Sequence, residues 1–159
     1  MQIDTLRSMT PGQVHAAVDG FSARYVADWE TWLAASPSVR PKRFGETLRK
    51  WQATRPRKPR RLRAEAQHEP PYLDDLIDSA AEPLRVLADL SVKTICVGTL
   101  RQGQALNELW TIFSGMTLTE HATCVGITKA VLLLTDGRIG PAFDSNVQKK
   151  LGRPETADA

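Results

Sequence analysis

The stretch VGITKAVLLLTDGRIGPAFDSNVQKKLG, residues 125–152, decides how this chain is read. Ile127, Ala130, Val131, Leu132, Leu133 and Leu134 form a mostly apolar run, short enough for either a strand or a helix. Leucine is a strong helix former, and Lys129 interrupts the run as a residue on a helix surface does, so the pattern predicts a helix. Gly126 and Thr128 stand at its expected start, where a permissive backbone or a hydroxyl cap is useful. Asp136-Gly137 and Gly140-Pro141 mark turns. Asp144 then reads as the N-cap of a second helix, with Lys149 and Lys150 in its last turn and Gly152 as its stop.

The rest of the chain agrees with an all-α fold. Its 159 residues are enough for one domain with a real core, and 42% hydrophobic with 25% charged residues is the composition of an ordinary globular protein. Helix formers dominate and no long alternating segment appears. The expectation is one compact helical domain over residues 1–152, with a basic, proline-containing segment at 40–63 and a flexible tail at 153–159. Cys96 and Cys124 fit no metal-ligand spacing and make no disulfide framework, and the three histidines are isolated, so no metal or cofactor is expected. No signal peptide and no apolar run approaching ~20 residues is visible, which predicts a cytoplasmic protein without a membrane span.

Upstream, Thr10-Pro11 opens a helix predicted over residues 11–35, with Val14, Ala17, Val18, Phe21, Tyr25, Val26, Trp29, Trp32 and Leu33 on one apolar face. Trp29 and Trp32 continue that stripe and read as core. Residues 41–53 predict a second helix with Phe44, Leu48 and Trp51 inward. Residues 72–90 read as helical, with Pro83 forcing a kink or a new start. The run at 92–100 is strand-like but has no partner strand, and reads as a buried connector or short helix. Residues 104–116 predict a helix with Leu106, Leu109, Trp110 and Phe113 on one face, and 119–122 a short helical turn.

Charge is distributed unevenly. Residues 40–63 hold eleven Lys/Arg against one acid, Glu46, a net charge of +10, and the remainder of the chain carries −7. Residues 54–61, with two prolines, predict an extended and mobile strand of chain. Nucleic acid is the natural partner of so concentrated a charge. The candidate contacts are Arg43, Arg49, Lys50, Arg55, Arg57, Lys58, Arg60 and Arg61. If six such charges met phosphates, the logarithm of affinity would fall against the logarithm of salt with a slope of roughly −5. The competing reading is a solvated linker, or a clamp onto the chain's own Asp74, Asp75, Asp78 and Glu82.

One resemblance gives these residues a chemistry. Gly126-x-x-Lys129-Ala130-x-x-Leu133-Leu134, a turn, Pro141-Ala142-Phe143-Asp144, then Val147 and Leu151-Gly152 resembles the helix-hairpin-helix DNA glycosylase superfamily over about residues 115–152. Where that family usually has leucine-proline-glycine-valine-glycine, this chain has Ala122-Thr123-Cys124-Val125-Gly126. The resemblance implies DNA binding through the hairpin, with Val125, Gly126 and Thr128 offering a phosphate the N-terminus of a helix. It also implies base excision on a flipped nucleotide: Asp144 would stabilise positive charge as the base departs, and Lys129 would be the candidate nucleophile, with abasic-site lyase chemistry as a consequence. Two cysteines exclude the four-cysteine iron–sulfur cluster of some members. Without the resemblance, Asp144 is a helix N-cap and Lys129 a solvated surface lysine. The alternatives to an enzyme are a non-catalytic DNA-binding protein of the same fold, and a domain whose basic segment grips an acidic protein.

Overall fold

The computed structural model describes Thr10, residues 23–91, Thr94 and residues 99–139. Among these residues every regular element is a helix, and β-pairing is confined to one antiparallel bridge between Pro59 and Thr117. The helices are α1 (Ala23–Leu33), α2 (Arg40–Lys50), α3 (Leu73–Ser79), α4 (Ala81–Val86), α5 (Leu100–Ser114) and α6 (Cys124–Leu134), with a 3-10 turn at Arg63–Glu65. The predicted helix that opens on Asp144, with Val147 and Leu151, lies outside the described residues, as do the first half of the helix expected over 11–35 and most of the run at 92–98.

The core is an aromatic chain that ties three helices together. Trp32 of α1 packs on Phe44 of α2 with ring centroids 6.3 Å apart, and Phe44 packs on Phe113 of α5 at 5.9 Å. All three are essentially inaccessible to solvent. Such rings bury large apolar areas and add ~0.5–1.5 kcal/mol per pair beyond that burial. Trp29 lies nearly parallel to Trp51 at 6.4 Å, so the Trp29/Trp32 pair serves packing, as its place on the apolar stripe predicts. Phe44, Leu48 and Trp51 are buried on one face of α2, again as their spacing predicts.

The ends of the elements follow from local chemistry. The helical pattern at 72–90 divides at Ala80, which closes α3 and opens α4, and Pro83 sits in the first turn of α4, where a missing N–H costs little. Helix α5 begins earlier than the apolar pattern implies, because Thr99 caps it: the Gln102 N–H donates to the Thr99 hydroxyl at 3.3 Å, and the Thr99 N–H donates to the Gln102 side chain at 2.8 Å. Helix α6 starts at Thr123 rather than at Gly126 or Thr128, since the Thr123 hydroxyl accepts the Gly126 N–H at 3.2 Å.

Residues 119 and 120 form bends and 121 and 122 irregular backbone, instead of the expected helical turn. The backbone there is committed elsewhere: Ala122 N–H donates to Ser114 O at 2.7 Å, and the Thr117 hydroxyl donates to the Glu120 carbonyl.

Asp136-Gly137 makes the predicted turn. Gly137 N–H donates to Leu132 O and Asp136 N–H to Leu133 O, both at 2.9 Å, with φ of 48° at Asp136 and 76° at Gly137. This is a Schellman closure of α6. A side chain in the left-handed region at Asp136 is unfavourable, and two donors hold it there. Its carboxylate accepts Trp32 Nε1–H at 3.0 Å and Arg40 Nη1–H at 3.1 Å, which locks the end of α6 onto α1 and α2.

Candidate nucleic-acid interface

Lys129 corrects its surface reading. Gly126, Lys129, Ala130 and Leu133 stand at i, i+3, i+4 and i+7 of α6, and all are buried. This stripe packs against the end of α2, so Lys129 lies inside, 8% exposed, and its Nζ donates to the Trp51 carbonyl at 2.9 Å. Trp51 is the C-cap of α2, and its carbonyl is among those a helix end leaves without an intrahelical donor. A cation there also complements the helix dipole.

Gly126 has a similarly structural place. A Cβ built on it would lie 2.2 Å from Ala53 O and 2.7 Å from Met116 Cε, so α6 can approach the turn after α2 only without a side chain here. The amide of Gly126 is engaged by Thr123, Val125 is half-buried, and the Thr128 hydroxyl donates to Val125 O at 3.1 Å. Cys124, half-buried at the start of α6, has its thiol pushed up by burial and so is held as the thiol.

The basic segment is docked, not extended and mobile over its length. Arg60 N–H donates to Met116 O, and Leu118 N–H to Lys58 O, each at 3.0 Å, on either side of the Pro59–Thr117 bridge. Pro59 has no N–H to donate, yet the Arg60 N–H after it donates and the Lys58 carbonyl before it accepts, both to the α5–α6 connection. Arg60 reinforces the joint, donating through Nε to Gly115 O at 2.7 Å and through Nη1 to Pro71 O at 2.8 Å. The Arg61 backbone is held from both sides, its N–H donating to His68 Nε2 at 3.1 Å and its carbonyl accepting Leu73 N–H at 2.9 Å.

Much of the charge is answered within the chain. Arg43 pairs with Glu46 at 2.7 Å, Lys50 with Asp28 at 2.7 Å, Arg57 with Glu120 at 2.8 Å, and Arg49 loosely with Glu65 at 3.8 Å. Arg40 pairs with Asp136, and Arg63 with Asp75 at 2.7 Å while lying over the Tyr72 ring at 4.6 Å. The clamp onto the chain's own acids is therefore present at Asp75, whose carboxyl is held below its usual range first by the Tyr72 N–H and, against some burial, by Arg63. Glu82 is likewise held low, by Arg85 and Arg101. Within residues 40–63, the cations that stay exposed and make no ion pair are Lys42, Arg55, Lys58 and Arg61.

Two of them, Lys42 and Arg61, meet at one cleft. Lys42, Gly45 and Arg49 follow one face of α2, and with Arg60, Arg61 and Glu65 they border a cleft floored by Leu48, Leu73 and Met116. Gly45 lets α3 close in, since a Cβ there would already be 3.2 Å from Leu73 Cδ2. The enclosed space is about 20 Å³, room for roughly one water and too small for a nucleobase. Lys42 was not among the contacts the sequence suggests. Its spacing from Arg49, seven residues and two turns on, was the available signal.

Comparison with protein-family models, with curated proteins and with solved structures returns no match to this chain. Fold and surface thus define only a class, an all-α protein with a basic face. Among the described residues no helix is long and apolar enough to cross a membrane.

Proposed function

We propose that this protein binds DNA through the face built by α2 and the docked segment at 55–61. The observation that supports this reading is that Lys42, Arg55, Lys58 and Arg61 are exposed without a counter-charge on a backbone that is itself tied down. Cations carried on a backbone already held in place meet phosphates at a lower ordering cost than a free basic tail. Three or four phosphates neutralised by these cations give a slope of roughly −2.7 to −3.6 for the logarithm of affinity against the logarithm of salt, shallower than the six-contact expectation.

Fluorescence anisotropy of a labelled duplex across a salt series tests this. A linear decline near that slope, made shallower by replacing Lys42, Arg55, Lys58 and Arg61 together with alanine, supports the reading. No binding at low salt removes it. Base excision, which the resemblance to glycosylases would add, needs the Lys129 amine to leave the Trp51 carbonyl for a sugar carbon. Borohydride trapping on abasic duplexes, with Lys129→Met checked for folding as control, tests that step, and an adduct lost in the folded variant would support it.

A further inference from the structure

The cleft beside α2 has four cations on its rim and one carboxylate, Glu65, and the carboxylate is poorly engaged. Its nearest cation, Arg49 Nη1, stands 3.8 Å away, and both side chains are a little over one-third exposed. Elsewhere in the segment, Arg43, Lys50, Arg57 and Arg63 close on their acids at 2.7–2.8 Å. The long pair sits where the rim is richest in uncommitted charge, since Lys42 and Arg61 make no ion pair among the described residues. The walls are fixed. Gly45 brings α3 against α2, Arg60 is pinned on two carbonyls, and the Arg61 backbone is bonded on both sides.

We propose that this cleft seats a single phosphodiester of a DNA strand, with Lys42, Arg49 and Arg61 as its donors, and that Glu65 is the resident counter-ion the phosphate displaces from Arg49. The inference rests on the DNA-binding reading and assigns it a specific seat. The enclosed space admits one anionic oxygen while the rest of the phosphate remains at the mouth, which suits a backbone contact and excludes a flipped base. Arginine is suited to the exchange, because its planar fork presents the same paired donors to phosphate as to carboxylate. Glu65 then lowers affinity and narrows it to ligands that compete for Arg49.

The test is duplex affinity of the full chain and single variants at low salt, with circular dichroism melts to confirm folding. Glu65→Gln removes the internal competitor and tightens binding roughly fivefold, and Lys42→Ala and Arg61→Ala each weaken it by a similar factor. Glu108→Gln on α5, exposed and outside the cleft, makes the same change in net charge and separates a local effect from a global one. If Glu65→Gln behaves as Glu108→Gln does while the wild type still binds, the seat is overturned and the DNA-binding reading stands. If the wild type binds no duplex, both fall. Adding inorganic phosphate as a competitor separates a strand phosphodiester from a free-anion site: displacement at low millimolar phosphate would overturn the assignment to DNA.

Discussion

A lysine in the middle of an apolar helix was one of two residues open to a catalytic reading, and its surroundings give it a packing role. The Lys129 amine donates to the last carbonyl of α2, and its stem fills the α2–α6 contact. Removing both should cost ~2–4 kcal/mol, combining a charge-assisted hydrogen bond with lost packing. Lys129→Ala should therefore shift the urea midpoint strongly downward, and Lys129→Met, which keeps the stem, should recover part of the loss. Equal stability of wild type and Lys129→Ala would remove this role.

Glycines give the same argument with a sign change. Gly126→Ala gains helix propensity of ~1 kcal/mol but drives a Cβ into the Ala53 carbonyl, and backbone cannot yield cheaply, so a net loss of ~2–3 kcal/mol is expected. Gly103→Ala in α5 meets nothing within 4 Å and should stabilise by ~0.5–1 kcal/mol. Thermal melts of the two variants should move in opposite directions.

At the scale of elements, helices were legible where one face alternates at helical spacing, as in α2 with Phe44, Leu48 and Trp51. Boundaries set by side chains bonding to the backbone were not. Thr99 and Gln102 carry the spacing of a capping box, but the β-branched run before them masked it. Residues 119–122 failed as a helix because their backbone partners come from α5 and the neighbouring loop, which no local pattern encodes. The short α3 carries a pH-dependent anchor. Asp75 accepts the Tyr72 N–H at 2.8 Å and meets Arg63 at 2.7 Å, and its folded carboxyl lies below the ordinary value of 3.8. A depressed carboxylate contributes stability that is present above the unfolded value and lost as pH falls through the folded one. Stability should thus decline below about pH 4 with a steeper slope in the wild type than in Asp75→Asn, as read from urea midpoints across an acid series. Parallel slopes would mean that Asp75 does not anchor α3.

For the whole molecule, composition was enough for the all-α class, and the charge asymmetry was enough to single out residues 40–63. What neither could supply was where that segment goes. Several of its partners lie more than fifty residues away in sequence: Arg57 reaches Glu120, and Lys58 and Arg60 pair through backbone with Leu118 and Met116. Two forces with different salt responses therefore act on the same segment. Exposed ion pairs contribute little and are screened within a Debye length of about 8–10 Å at ordinary ionic strength. Backbone hydrogen bonds beside the buried Met116 and Thr117 are barely screened. The segment should consequently stay docked at salt concentrations that abolish the proposed DNA binding. Hydrogen exchange followed at single amides checks this: Arg60, Leu73 and Leu118 should remain protected at low and high salt alike, while the amide of Arg55, which donates to Gln52 O at 3.2 Å outside the bridge, exchanges sooner. Loss of protection at all three amides with rising salt would mean that charge pairing holds the segment in place. Salt would then weaken DNA binding by releasing the surface itself, and the apparent slope would no longer count phosphate contacts.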